Sequence, residues 1–243
     1  MNTTKRCLPD TREDMLSEIK SWISSAGDNV LRVLWLSGTA GAGKSAIAHT
    51  IANWSNEIGC LGACFCFDRT RVVGRRHEKI FTTIGRDLAD SNPAVRRALD
   101  DVVHDNNELR HCADILRQGR ELLVGPIRVA STAVDAPVLI VIDALDESND
   151  RKSREQILSL LASQLNNLLA NFRVIITFRP LEDIHKSLKT ASHIHHLSMN
   201  DISLQSTSID IERYVCDKLA MLGDVFKDTH FQALARRSDG LFE

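Results

Sequence analysis

The sequence predicts an α/β layered fold built on a parallel five-stranded sheet, and three observations carry that reading. Short apolar, β-branched runs alternate along the chain with longer segments of helical period. The strand-like runs are apolar throughout rather than alternating, as strands covered on both faces are. The glycine-rich and acidic residues stand where those runs end, at the edge where open α/β sheets bind ligands.

The elements follow in order. Asp10 and Glu13 have the spacing of a capping box, and Met15, Leu16, Ile19, Trp22 and Ile23 then fall on one helical face. Gly27-Asp28-Asn29 turns the chain into a first strand, Val30 to Leu36. A helical run from Ser45 to Trp54 leads to a second strand, Leu61 to Phe67. Ile80, Phe81, Ile84 and Leu88 mark a helix, Pro93 opens another at its first turn, and Cys112 to Arg128 is again helical. Pro137 to Asp143 is a buried strand, and a helix follows with Ile157, Leu158, Leu161, Leu165, Leu168 and Leu169 inward. Phe172 to Phe178 is a strand stopped by Pro180, Ile194 to Met199 is a weaker fifth, and two helical patterns run from Ile209 to the end. The organisation expected is a lead-in helix over 1–28, the main α/β domain over 29–204, and the truncated start of a helical lid over 205–243.

Composition sets bounds. The chain has 243 residues with net charge −2, which gives no pull towards nucleic acid or an anionic membrane. Six cysteines without a C-x-x-C pair or a regular framework fit reduced thiols in a cytoplasmic setting. No apolar run reaches membrane-spanning length, and the first residues lack a signal-peptide core.

Within Val30–Ser45, VLRVLWLSGTAGAGKS, Gly38 is followed after four residues by Gly43-Lys44-Ser45, the phosphate-loop pattern. Glycines at 38, 41 and 43 allow positive φ, so that successive N–H groups face one anion. The helix opening at Lys44 adds its dipole, Lys44 a charge for the β and γ phosphates, and Ser45 a hydroxyl for Mg²⁺. The predicted nucleotide cradle is Gly38, Thr39, Ala40, Gly41, Ala42, Gly43, Lys44, Ser45 and Ala46. With a parallel sheet, this predicts the three-layer sandwich of P-loop NTPases, of the ASCE/AAA-like kind.

Asp143 closes the run Val138-Leu-Ile-Val-Ile-Asp143 and is placed to hold Mg²⁺, as a Walker B acid does. Glu147 is the first choice to orient an attacking water, and Asp146 could share that role or position the metal's waters. Arg179, at the end of the Phe172–Phe178 run, could hydrogen-bond a γ-phosphate.

GTAGAGKS, VLIVIDALDE and ITFRP together resemble the NACHT domain of STAND-class signalling NTPases, most like those of fungal NLR-like proteins with a nephrocystin-like N-terminal module. Cys7-Leu-Pro-Asp-Thr-Arg12 and Ser238-Asp-Gly-Leu-Phe242 resemble that family's flanks, so the resemblance covers roughly residues 7–243. It implies that the Arg179 strand lies between the phosphate-loop strand and the Asp143 strand. It also implies a switch, off with a diphosphate and assembling with a triphosphate. By resemblance Lys44 and Ser45 take phosphate and Mg²⁺, Asp143 the metal, Glu147 the water and Arg179 the sensor role, with Thr11 and Arg12 near the base. Two departures stand out: Phe178 replaces a usually small residue, and the family's winged-helix, repeat and effector segments are not in these residues. The resemblance therefore implies a fragment or stand-alone core, monomeric in isolation, with self-association in the full-length protein.

Other clusters are read blandly. Arg69, Arg71, Arg75, Arg76 and His77 are expected to be a solvated loop, and His193, His195 and His196 not to bind metal. Cys64 and Cys66 share a strand face as small hydrophobes. Three functions compete: a slow signalling NTPase using ATP or GTP with Mg²⁺, a nucleotide-binding module that never hydrolyses, and, ranked last, a small-molecule kinase.

Overall fold

A computed structural model gives the architecture. It describes residues 5–27, 29–68, 77–106, 108–109, 112–130, 136–148, 151–164, 171–182, 184, 194–220 and 228–242. Helix α1 (Glu13–Ser24) precedes strand β1 (Val33–Ser37), helix α2 (Lys44–Glu57) and strand β2 (Leu61–Cys66). Helices α3 (Ile80–Ser91), α4 (Pro93–Asp105), α5 (Ile115–Gly119) and α6 (Gly125–Ala130) lead to β3 (Val138–Asp143). Then come α7 (Arg151–Gln164), β4 (Phe172–Phe178), β5 (Ile194–Ser198), α8 (Leu204–Leu219) and α9 (Asp228–Arg237).

The strands form one parallel sheet in the order β2-β3-β4-β1-β5. The β4 strand, which ends next to Arg179, therefore lies between β1 and β3, as expected. Each crossover carries its helix to one face, and two apolar layers result. Trp35, Ile142, Ile176 and Phe81 pack in one layer, and Leu36, Val141, Ile175, Ile19 and Ile47 in the other. Every residue of β3 and β4 is buried. The β5 edge is half-buried, which is why its sequence signal is weaker. Phe178 finds room against Trp35, ring centroids 5.5 Å apart and edge to face.

Three local expectations change. Asp10 does not cap α1: Asp10 and Arg12 both have left-handed backbones, φ 60° and 57°, and the helix opens at Glu13 without a side-chain cap. A tertiary contact fixes that conformation, because the Arg12 N–H donates to Asp210 of α8. The helical stretch after Cys112 starts at Asp114, whose carboxylate caps α5, and passes through a π turn at Arg120–Val124. Pro126, lacking an N–H, follows directly, and the wider turn adjusts the hydrogen-bond ladder around it. The penultimate helix begins at Leu204, capped by Ser203, five residues before Ile209. Pro93 does open α4, with Asn92 accepting from the N–H groups of Ala94 and Val95. The inward stripe of α7 is seen at Ile157, Leu158 and Leu161, while Leu165, Leu168, Leu169, Asp28 and the arginines of 69–76 lie outside the described residues.

Trp35 is fully buried on β1, between β4 and the edge strand β5. Trp35→Ala is expected to cost about 3–5 kcal/mol in urea unfolding, because the surrounding rings cannot close the cavity.

Candidate functional site

The site forms at the carboxyl ends of β1, β3 and β4, and the sheet register assembles it. Cys66 pairs with Asp143, Ile142 with Ile176, and Leu36 with Thr177, so Cys66, Asp143, Thr177 and Leu36 form one row across four strands. Between β1 and α2 runs the glycine-rich loop. Gly41 and Gly43 have φ of 69° and 96°, conformations that cost other residues, and Gly43 caps α2 with no acid in its first turn. The expected freedom at Gly38 is not used. There the constraint is steric, since a Cβ would stand 2.7 Å from Met199 Cβ.

Lys44 curls back into the loop, its Nζ donating to the carbonyls of Gly38 (2.8 Å) and Thr39 (2.6 Å). The Ser45 hydroxyl donates to Asp143 Oδ1 at 3.1 Å, and Thr177 Oγ1 donates to the same oxygen at 2.6 Å. Thr177 in turn accepts the Ala144 N–H, which holds the chain as it leaves β3. The second oxygen, Oδ2, faces His49 Nε2 at 3.8 Å. Burial, with Cys66 alongside, pushes the Asp143 pKa above the usual carboxylate range, and the bonds from Thr177 and Ser45 and the charge of His49 oppose it.

Asp146 and Glu147 sit in a short 3₁₀ turn, Leu145–Glu147, and divide in environment. Asp146 is buried and is committed to Arg179: it accepts the Arg179 N–H at 3.0 Å and faces its Nε at 3.1 Å. Glu147 is partly exposed, 3.7 Å from the outer nitrogen of the same guanidinium. Of the two, only Glu147 presents a carboxylate to solvent near the loop.

A cavity of about 440 Å³ opens beside this row. Of the predicted residues, Thr11, Arg12, Ala40, Gly41, Gly43, Lys44, Ser45, Ala46, Asp146, Glu147 and Arg179 line it. Gly38, Thr39, Ala42 and Asp143 do not: Asp143 lies behind Ser45, and Gly38 and Thr39 hold Lys44 from beneath. The lining also includes Cys7, Leu8, Thr177, Tyr214, Lys218 and Phe242, to which the sequence reading gave no role in the site. Thr177 is detectable as a hydroxyl one residue before the end of an apolar strand. The others come from the two ends of the chain, and no local pattern joins them.

Arg12 ties those ends together. It is buried, donates to Thr207 Oγ1 (3.2 Å) and to the Ala42 carbonyl (3.3 Å), and pairs with Asp210 at 3.5 Å. Its guanidinium lies 5.1 Å from the centre of the Phe242 ring, and the Phe242 N–H donates to the Gly41 carbonyl at 2.9 Å. A larger cleft of about 620 Å³ lies beyond Arg12, between α1, β5 and α8, but of the predicted residues it has only Arg12. The smaller cavity, where loop, acids and arginine converge, is the candidate site.

These features define an α/β domain whose polar residues gather at the carboxyl edge of a parallel five-stranded sheet. The chain belongs to the nephrocystin 3 N-terminal family, whose sequence model matches residues 10–179. That span runs from the turn before α1 to Arg179. Among solved structures 53 chains match, one of them that of C. elegans PCH-2. The two share 14% identity with a TM-score of 0.42, over 90% of this chain and 52% of that one. The chain thus spans about half the length of that solved neighbour. Among curated proteins, none matches.

Removing the carboxylate at 210 leaves a buried guanidinium without its counter-charge. Asp210→Ala is therefore expected to destabilise the fold by about 3–5 kcal/mol. Chemical denaturation checks it, and a change below about 1 kcal/mol would show the pair to be incidental.

Proposed function

We propose that this chain is a P-loop nucleotide-binding module of the NACHT, STAND-class kind, binding ATP or GTP with Mg²⁺ and hydrolysing it slowly as an oligomerisation switch. One observation carries the proposal: Ser45, at the head of α2, is hydrogen-bonded to Asp143 at the end of β3, beside the loop that encloses Lys44. A hydroxyl and a carboxylate on adjoining elements form a hard-oxygen pair that suits Mg²⁺. The uncapped α2 N-terminus and Lys44 suit the phosphates of a nucleotide. Family membership and the parallel sheet are compatible with this reading.

In this scheme Lys44 exchanges its carbonyl partners for β and γ phosphate oxygens, and Ser45 and Asp143 hold the metal. Glu147 orients a water for in-line attack, and its partial exposure favours it over Asp146. Asp146 fixes Arg179, whose guanidinium stands beside Glu147. Departure of the γ-phosphate would then be felt by Arg179 and its two acids together. Thr11, Arg12, Tyr214 and Phe242 form the wall on which a base would lie. Cytoplasmic residence belongs to the same proposal, supported by six free cysteines. No described helix is long and apolar enough to cross a membrane.

A second reading, a module that binds without hydrolysing, is favoured by the Arg179–Glu147 contact, which occupies the candidate base. Single-turnover γ-phosphate release separates the two. Glu147→Gln is expected to slow release by ~10²-fold with triphosphate affinity kept, whereas an unchanged rate favours the second reading. Lys44→Ala is expected to abolish triphosphate binding in calorimetry, and undiminished affinity would end the phosphate-loop assignment altogether.

A further inference from the structure

The row of residues that ends in Asp143 continues past it. On β2, Cys64 and Cys66 are two residues apart and so share a face, the one covered by α2. On α2, His49 is four residues after Ser45, and the two lie on one side of the helix. Ser45 meets Asp143 Oδ1 and His49 faces Oδ2. The ring of His49 also reaches the cysteines. Its Nε2 is 3.7 Å from Cys66 Sγ, which is 4.0 Å from Cys64 Sγ, and all three donor atoms lie within 4.8 Å of one another.

We propose that His49, Cys64 and Cys66 form a zinc site on the far side of Asp143 from the phosphate loop. In a tetrahedral zinc centre, bonds of about 2.3 Å to sulfur and about 2.0–2.1 Å to nitrogen put neighbouring donors roughly 3.4–3.8 Å apart. Two of the three separations, 3.7 and 4.0 Å, are within a few tenths of an ångström of that. The third, from His49 to Cys64, closes by rotation of the Cys64 side chain from a span of no more than 4.8 Å. Two thiolates and an imidazole select a soft or borderline ion over Mg²⁺ or Ca²⁺, and zinc needs no redox partner to remain bound. Asp143 Oδ2, 3.8 Å from His49 Nε2, is the acidic oxygen beside this cluster. His49 and Cys66 are buried and Cys64 is half-buried, which suits a structural ion with restricted exchange. Zinc takes cysteine as thiolate, so binding would release protons from the two thiols to solvent.

The consequence is a link between β2, α2 and β3 that sets the orientation of Asp143 from behind. None of its three ligands lines the loop cavity, and the site meets the proposed nucleotide site at Asp143, which His49 faces.

Cobalt substitution tests the proposal. The reduced chain, stripped with chelator, is titrated with Co²⁺ in the absence of nucleotide. One equivalent is expected to bring thiolate-to-cobalt charge-transfer absorption and the intense visible bands of a tetrahedral ion, and Zn²⁺ should then bleach both. Mg²⁺-type binding of Co²⁺ at Ser45 and Asp143 would give neither feature, because that site offers only oxygen. Cys64→Ser and Cys66→Ser are each expected to weaken the metal at least ~100-fold, above the loss typical of a partner outside the ligand set. Cys112→Ser, Cys216→Ser and Lys44→Ala should keep the spectrum, the last even with nucleotide binding lost. If the reduced wild-type chain shows no charge-transfer band, or the band survives in both Cys64→Ser and Cys66→Ser, the site does not exist.

Discussion

The structure depends on one buried carboxylate. Asp143 ends a strand with no exposed residue, where an ionised group meets a desolvation cost of several kcal/mol. It is tolerated because two elements supply three groups that face it: Thr177 from β4, and Ser45 and His49 from α2. Those contacts require β4 to lie beside β3 and the head of α2 to lie above both. The chain order of the sheet, with β4 inserted between β1 and β3, meets that requirement. Fold and site are therefore one problem. A different strand order would leave the carboxylate buried without donors.

The same logic recurs at both ends of the molecule. At the amino edge of the sheet, Arg173 is buried in β4 and donates to the carbonyls of Trp22 (3.4 Å) and Ser25 (2.6 Å) at the end of α1. That helix has no basic residue in its last turn, so Arg173 supplies the positive charge that its carbonyls favour. At the carboxyl edge, Arg12 holds α8 through Asp210 and Thr207, and holds the loop through Ala42. Each arginine fastens α1 to a different part of the fold. These polar ties add to the apolar face, Met15, Leu16, Ile19, Trp22 and Ile23, that α1 buries in the same layer as α2.

What could be read from the sequence was whatever depends on nearest neighbours along the chain. The apolar runs of β3 and β4 announced strands buried on two sides, and GTAGAGKS announced its loop through its own glycines. Pro93 after Asn92 marked a helix start because the cap and the missing N–H act within one turn. Contacts between distant segments were not legible. Asp10 and Glu13 had the spacing of a capping box, yet Asp210, almost the whole chain away, set the Arg12 backbone instead. Gly38 was read as a turn glycine, whereas Met199 is what excludes a side chain there. His49 reads as one more residue of the Ser45–Trp54 helix, and only the packing of α2 against β2 puts it beside Cys66.

The division between Asp146 and Glu147 shows how a strand end converts two adjacent acids into different instruments. Both follow Ala144, whose left-handed backbone, φ 57°, breaks the line of β3 and starts the 3₁₀ turn. In that turn neighbouring side chains diverge by about 120°, so one acid points into the protein and the next points out. The inward one meets Arg179 at the adjacent strand end, and a charge-assisted contact with two nitrogens fixes both. The outward one keeps its freedom but stays within reach of the same guanidinium. Arg179 thus stands between a buried carboxylate and a partly exposed one. In the function we propose, the γ-phosphate would compete for the second contact. A fixed arginine with one exchangeable partner responds to added negative charge by releasing that partner while its own position barely changes. Such a response suits a residue that registers a ligand more than one that must travel to it.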